Sequence, residues 1–442
     1  MTYKTVNGQK KRRMKSMKMP KVVSQEMANL VFNEKCSISI GKEEEGQNAD
    51  EFQEKVLDVL EKNAFYQNFQ NYLEYMFAMG GMFIKVYVQD QQIKLSYVTA
   101  DCFIPIAYNG KEITEGIFVN ESRKGDKYYT LLEWHEWDGE IYTIHNELYM
   151  SETKGEVGIK VPLETLYPEL EENVSITGLK RSLFVGFKPN IANNIDMSSN
   201  LGVSIYADAL DTMHSLDVAF DSFEREFRLG KKRITVPTSA IKTVVDPQTG
   251  HMHRYFDADD EVYEAFHFDN DDTGIQEHSL DLRVEEHISA INSLLNIQAM
   301  QTGFSAGAFT FDSEGLKTAT EVVSENSKTY RTRSGHITII EEGLKDLVDV
   351  IADVASLYGI FSPPEGIETK VNFDDSIAED RDTNAKHWIM LVNAEVASKL
   401  QAIQKIHKVT EEDAQSILEQ ISKEKEREQP PDDYDLFRGG GE

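Results

Sequence analysis

Hydrophobic positions recur along this chain with two different periods, and the switches between them divide it. From Lys21 to Phe32, Val22, Val23, Met27, Leu30 and Val31 fall at helical spacing. A short strand follows at 37–40 and a polar connection at 41–51. The segment from Glu51 to Met79 is helical again, with Phe65, Phe69, Leu73 and Phe77 on one face as core. From Met82 to about Leu183 the period drops to two: 82–89 and 93–99 alternate like half-buried strands around a tight turn, and further strands fall at 116–122, 127–137, 140–150 and 158–163. Residues 184–204 are irregular chain, rich in Asn, Ser and Gly, and mark a domain boundary.

Three long seams organise the chain beyond that boundary. Ala209, Met213, Leu216, Phe220, Phe223 and Phe227 recur at steps of four and three, one apolar face of a helix that Gly230 stops. Val284, Ile288, Ile291 and Leu295 form a second seam. Ile337, Ile340, Leu344, Leu347, Ile351, Val354 and Tyr358 form a third, in a segment that can be helical from Thr318, where Thr318 and Glu321 make a capping box. That last helix would be roughly 60 Å long, more than a compact domain needs, which suggests a subunit built for assembly. Gly335 within it costs about 1 kcal/mol against alanine, so it packs closely or marks a bend. Between the second and third seams lies a loop with glycines at 303, 307 and 315 and phenylalanines at 304, 309 and 311. Pro363 and Pro364 end the long helix; a strand and a pair of helices follow, the second capped by Thr410, and then a polar tail.

Composition narrows the function classes. The 442 residues suffice for two to four domains. No apolar run approaches a membrane span, and the basic N-terminus lacks the apolar core of a signal peptide, so a cytoplasmic product is expected. Cys36 and Cys102 are expected as small hydrophobes without a disulfide, and His251 and His253 on a solvated loop without a third ligand; no metal and no cofactor is expected. The run from Asp269 fails calcium-loop spacing, because its twelfth position is Leu280, and 315–318 lacks the glycine spacing of a phosphate loop. No nucleophile elbow or zinc-protease motif is present, so an enzyme is not expected. The chain carries 46 basic and 76 acidic residues, a net charge of −30, the reverse of a protein that grips nucleic acid. Such a surface either repels DNA or only keeps a large assembly soluble. Residues 10–21 run against that trend with seven positive charges in twelve positions, a solvated arm or a site for nucleic acid or an acidic partner.

The segments 21–40, 202–237 and 309–333 together resemble the portal proteins of tailed bacteriophages, of the type from phages of Gram-positive bacteria. That resemblance spans roughly residues 10 to 425 and rests on element order, not on catalytic signatures. It implies an α+β fold. Residues 1–50 are an N-terminal basic arm and helix, 51–194 a mixed α/β wing domain, 195–230 a first stem helix and 231–280 a small inserted clip. Residues 281–302 are then a second stem helix, 303–317 a tunnel loop, 318–362 a long wing helix, 363–428 a helical crown and 429–442 a disordered tail. It also implies a ring, commonly of twelve subunits, at one capsid vertex, assembled in the host cytoplasm and retained in the virion. Double-stranded DNA would pass along Gly303, Phe304, Ser305, Ala306, Gly307, Phe309, Phe311 and Asp312. Subunits would meet through Met213, Leu216, Phe220, Phe223 and Phe227. The terminase motor large subunit and later the neck would dock at Asp257, Asp259 and Asp260, with major capsid, scaffolding and head-completion proteins as further partners and no membrane. The alternative is a generic virion scaffold or adaptor without a channel.

Overall fold

The computed structural model of the protein describes residues 2–5, 8–41, 47–110, 112–230, 233–235, 242–245, 252–255, 276–278, 281–311, 327–364, 366, 368–373, 381–407 and 411–428. The chain forms two compact units. The smaller comprises Met1–Pro20, Asp208–Thr302 and Gly307–Asp312, and the larger comprises Lys21–Ala207, Gly303–Ala306 and Ser313–Glu442.

In the larger unit the pattern around 51–79 yields two helices instead of one, Gln47–Lys62 and Phe65–Met79. Asn63 is the reason. Its amide donates to the carbonyls of Val59 and Ile93 and accepts from the Leu95 N–H, which diverts the chain and leaves Ala64 left-handed at φ 48°. The first of these helices also reaches back into the stretch expected as a polar connection. Phe65, Phe69, Leu73 and Phe77 are all buried, as the pattern requires, and Phe32, just past the end of the helix Met19–Val31, meets Phe69 edge-on. Cys36 is buried, Cys102 half-buried, and both are free thiols.

The strand region forms two antiparallel sheets. Met82–Gln89 and Gln92–Thr99 are joined by Asp90 and Gln91, both at positive φ, the geometry of a primed hairpin turn built without glycine. Phe184–Phe187, expected as the start of irregular chain, instead pairs with Met82–Lys85 to give three strands, because its apolar side chains complete the buried face. The larger sheet runs Ile159–Val161, Ile141–Ser151, Lys127–Asp138, Glu112–Lys124, Phe103–Asn109, and Asn173–Thr177 adds to the free end of Ile141–Ser151. Phe83, Phe103, Phe118 and Phe184 pack where these sheets meet. Gly116 and Gly186 make the space: a Cβ would sit 2.2 Å from the Phe103 ring at the first and 2.8 Å from the Phe83 ring at the second.

The helix Ser327–Leu357, about 46 Å long, buries Ile340, Leu344, Leu347, Ile351 and Val354, while Ile337 is half-buried and Tyr358 exposed. Residues 312–326, which hold the expected capping box and helix start at Thr318, lie outside the described residues. Gly335 serves close packing: its carbonyl accepts from Asn190 Nδ2 at 2.8 Å, and a Cβ would stand 3.1 Å from that nitrogen. The helix ends at Gly359, φ 66°, with the Ile360 N–H returned to Ala355 O, ahead of the double proline. Glu368–Asn372 then pairs with Ser37–Gly41. Three helices follow where two were expected: Arg381–Asn393, Lys399–His407 and Glu411–Glu428. The extra break is a capping box, in which Gln401 N–H donates to Ser398 Oγ and Ser398 N–H to Gln401 Oε1. Thr410 and the tail 429–442 lie outside the described residues.

The smaller unit pairs Leu210–Leu229 with Val284–Gln301. Of the insertion 231–280, two strand ladders are described, Arg233–Thr235 with Gln276–His278 and Lys242–Val245 with Met252–Tyr255. His253 thus lies in a strand and not on the loop expected for it. No helix among the described residues is long and apolar enough to cross a membrane.

His336, on the long helix, is buried with its ring edge-on to Phe77, and Nδ1 accepts the Asn190 N–H at 3.0 Å, so the proton sits on Nε2. Burial pushes its pKa down to about 4 from 6.5. The folded state therefore binds this proton less readily than the unfolded state, and the stabilising contribution, complete above pH 6.5, is lost as pH falls toward 4. The expected loss is up to roughly 3 kcal/mol. Urea unfolding between pH 7 and pH 4 should show a fall in stability that is shallower in His336→Gln; parallel curves would remove His336 as the cause.

Candidate functional site

The seam of the helix Leu210–Leu229 is only partly spent within the subunit. Met213 and Leu216 are buried, as are Ile291, Leu295 and Ala299 of the paired helix, but Phe220 and Phe223 are half-buried and Phe227 is 45% exposed. Phe223 meets Phe227 at 5.0 Å, edge to face, and approaches the His287 ring at 5.7 Å. At the foot of the pair Arg283 donates Nε and Nη2 to the two oxygens of Glu226, and the Arg283 bond holds the Glu226 carboxyl below its usual range. Gly230 is required here for close approach, since a Cβ would come within 2.4 Å of Leu282 Cδ2 and 2.7 Å of Glu226 O. On the other helix Ile297 and Met300 are 47% and 59% exposed.

The loop after Gln301 divides in two. Gly303, at φ 85°, brings the backbone so close to Thr332 that a Cβ would sit 2.6 Å from its methyl. Ser305 N–H donates to Thr329 Oγ1 at 2.8 Å and Ser305 Oγ accepts from the Thr329 N–H at 3.2 Å. Phe304 and Ser305 are consequently buried, a correction to the expectation that they face outward as part of an exposed loop. The reciprocal Ser305–Thr329 bonds hold this half against the long helix. In the second half Ala306 and Gly307 are exposed, Phe309 is half-buried and Phe311 is 63% exposed. Gly307 N–H and Phe311 N–H donate to Asn296 and Asn292, which tie this half to the Val284–Gln301 helix. Asp312, like Asp257, Asp259 and Asp260, lies outside the described residues.

A buried polar relay escaped the sequence reading. Lys85 Nζ donates to Glu133 Oε2 at 2.6 Å; His135 Nε2 lies 2.7 Å from Glu133 Oε1 and its Nδ1 2.7 Å from Tyr142 Oη; and Tyr142 Oη accepts the Leu183 N–H. One proton arrangement satisfies every link: neutral His135 donates to Glu133 and accepts from Tyr142. Burial alone would raise the Glu133 pKa, but the His135 bond and the Lys85 charge outweigh it and lower it to about 2. Burial pushes the His135 pKa down and the Tyr142 pKa up. A Tyr–His–Glu chain resembles catalytic machinery, yet His135 is 1% exposed and packed among Phe118 and Phe184, so no substrate reaches it. Its signal in the sequence was Lys85 inside an otherwise apolar strand.

Nearby, a cleft of about 1180 Å³ is lined by Phe83, Trp137, Arg181, Phe184, Asp346 and Val350 among others. Arg181 there binds Asp349 at 2.6 Å and Asp353 at 3.2 Å, and burial raises the carboxyl pKa of Asp346 and of Asp353. No metal-ligating cluster occurs among the described residues.

Glu133→Ala should cost about 3–5 kcal/mol in urea unfolding, because it strands a buried ammonium and a buried imidazole N–H. Lys85→Met with Glu133→Gln removes the charge pair but keeps an acceptor for His135, and should recover most of that loss. An equal loss in both variants would mean that the charge pair itself stabilises the junction.

A family model described as phage portal protein, SPP1 Gp6-like, matches residues 2–431. No protein of curated function matches the chain. Two solved structures share 12% identity with it, each match covering 88% of both chains: one from the neck of an empty gene transfer agent particle computed with C6 symmetry, at TM-score 0.46, and one from the virion of a native gene transfer agent particle, at 0.42. The family is one of structural, non-enzymatic virion proteins. Because the match takes in nearly the whole sequence, both units included, the chain belongs to the family of phage portal proteins of the SPP1 Gp6-like type.

Proposed function

We propose that the protein forms a closed ring at one vertex of the capsid, a conduit for double-stranded DNA during packaging and ejection. Family membership supports the portal role, and the apolar surface left uncovered on the helix pair supports the ring. Phe227, Ile297, Met300 and Phe311 are 45%, 47%, 59% and 63% exposed on one unit, a set that neighbouring subunits would cover. Twelve subunits, the number the resemblance implies, would place these helices as a stem, with residues 51–194 as the wing, 231–280 as the clip and 363–428 as the crown. The net charge of −30 suits a channel that DNA must cross without adhering. A virion scaffold without a channel would share the helices but not a fixed stoichiometry, so the mass of the purified protein in its native state separates the two readings.

Phe220→Asp with Phe223→Asp should abolish ring formation, since each interface would bury unpaired charge at a cost of several kcal/mol. Rings of unchanged mass would show that the seam is not an interface.

With Phe304 and Ser305 buried, the residues of the loop left exposed among those described are Ala306, Gly307, Ala308 and Phe311. Ala306→Lys with Ala308→Lys should slow packaging by adding phosphate contacts, and the slowing should relax with salt. Normal packaging by such rings at low and high salt would place the loop away from DNA. The clip is proposed as the docking surface for the packaging motor and later the neck: reversing Asp257, Asp259 and Asp260 should leave rings intact and weaken motor binding, and unaltered affinity would remove these residues from that surface.

A further inference from the structure

The basic stretch at 10–21 is the feature of this acidic chain that the proposed function leaves unused. Most of it is ordered. Arg12 Nη1 donates to Asp221 Oδ1 at 2.7 Å and Nη2 bonds Oδ2, a two-pronged grip on a carboxylate only 3% exposed. The Lys15 N–H donates to the same carboxylate at 3.1 Å and the Met17 N–H to Asp217 at 3.0 Å. The Arg12 bond holds the Asp221 carboxyl well below its ordinary range. Asp217 and Asp221 stand four residues apart on one flank of the Leu210–Leu229 helix, beside the apolar seam, so they form a rail along which the arm is laid.

The arm's exposure alternates. Arg12, Met14 and Ser16 are half-buried, whereas Lys11, Arg13 and Lys15 are exposed, with Lys18 exposed beyond them. That is the period of an extended chain, which carries successive outward side chains about 6.6 Å apart. The buried bond thus does more than tie down a terminus: it presents an outward row of cations in fixed register, and little conformational freedom remains to be lost when that row binds.

We propose that this row is an intersubunit clamp, laid by each subunit against the acidic face of a second copy of the chain. The proposal rests on the ring reading. A ring made by rotation needs two different, mutually complementary patches on the same subunit. In a chain of net charge −30 a row of cations finds its complement on another copy. The smaller unit offers that complement within about one helical turn of the row. Phe223 packs on His287 and Glu226 binds Arg283, which sets the exposed Glu285 and Glu286 between these two contacts, about one helical turn along from Asp221. In a ring whose axis runs along the helix pair that offset would be kept, and the long lysine and arginine side chains of one copy would span it to reach Glu285 and Glu286 of the next. Nucleic acid is the other polyanion to weigh. A row of cations in every subunit facing a passing duplex would add phosphate contacts and hold it, against the needs of a conduit.

The test uses the full-length protein by native mass spectrometry and analytical ultracentrifugation at about 0.05 and 0.5 M salt. Lys11→Glu with Arg13→Glu and Lys15→Glu, all exposed and outside the Arg12–Asp221 bond, should raise the concentration for half-assembly at least tenfold at low salt. The folded content of the subunit, followed by circular dichroism, should not change. Adding Glu285→Lys and Glu286→Lys should restore assembly. Rings of the triple variant as stable as the wild type would overturn the clamp. So would intact rings that lose only retention of a short DNA duplex, which would assign the row to nucleic acid. A wild-type chain that never closes into rings would instead remove the ring reading, and the clamp with it.

Discussion

The larger unit depends on how two sheets are held at their junction. Phe83, Phe103, Phe118 and Phe184 supply the apolar filling, and glycines 116 and 186 supply the room for it. Apolar packing of this kind is non-directional and would tolerate some sliding. The relay from Lys85 through Glu133, His135 and Tyr142 to the Leu183 backbone removes that freedom, because each donor has one acceptor and a shifted strand would leave a buried charge without its partner. Fixing Leu183 also fixes Phe184–Phe187, the strand on which the long helix rests.

Close approach recurs along that helix. At Gly343 a Cβ would come within 2.6 Å of the Phe187 ring, and at Gly335 the helix backbone bonds directly to Asn190. Two glycines in a helix interior cost roughly 1 kcal/mol each in propensity, so the contacts they permit must more than offset that loss. The same stretch buries His336 in neutral form, which makes the helix contact acid-sensitive. The Schellman-type end at Gly359 then hands the chain to Glu368–Asn372, which closes onto Ser37–Gly41 and ties the late sequence to the early sequence.

In the smaller unit the balance between satisfied and unsatisfied surface is different. Met213 and Leu216 complete their burial inside the subunit while Phe227, Ile297 and Met300 do not. The flank of the same helix carries Asp221, buried and fully committed to Arg12 and Lys15. One helix therefore combines an apolar face that a single subunit leaves open with a polar face that a single subunit closes. That division suits the proposed ring, whose subunits would need to be stable alone before they associate.

Most element types, the core positions Phe65, Phe69, Leu73 and Phe77, the hairpin at 82–99, the spacing of the apolar seams and the family were legible in the sequence, whereas the strand Phe184–Phe187 was not. Each legible feature depends on periodicity within one element, or on the order of elements, and both are local properties of the chain. The break at Asn63 and the capping box at Ser398 were also written locally, but as side-chain bonds that compete with a helical pattern, and the pattern concealed them. The burial of Phe304 and Ser305, the relay at Lys85 and the grip of Arg12 on Asp221 belong to tertiary structure alone. Arg12 and Asp221 are 209 positions apart and Lys85 and Glu133 are 48 apart. An arginine in a basic run, or a lysine in an apolar strand, has no partner in its own stretch of sequence until folding delivers its carboxylate. Periodicity states which face of an element is turned inward; only the packed chain decides what that face meets.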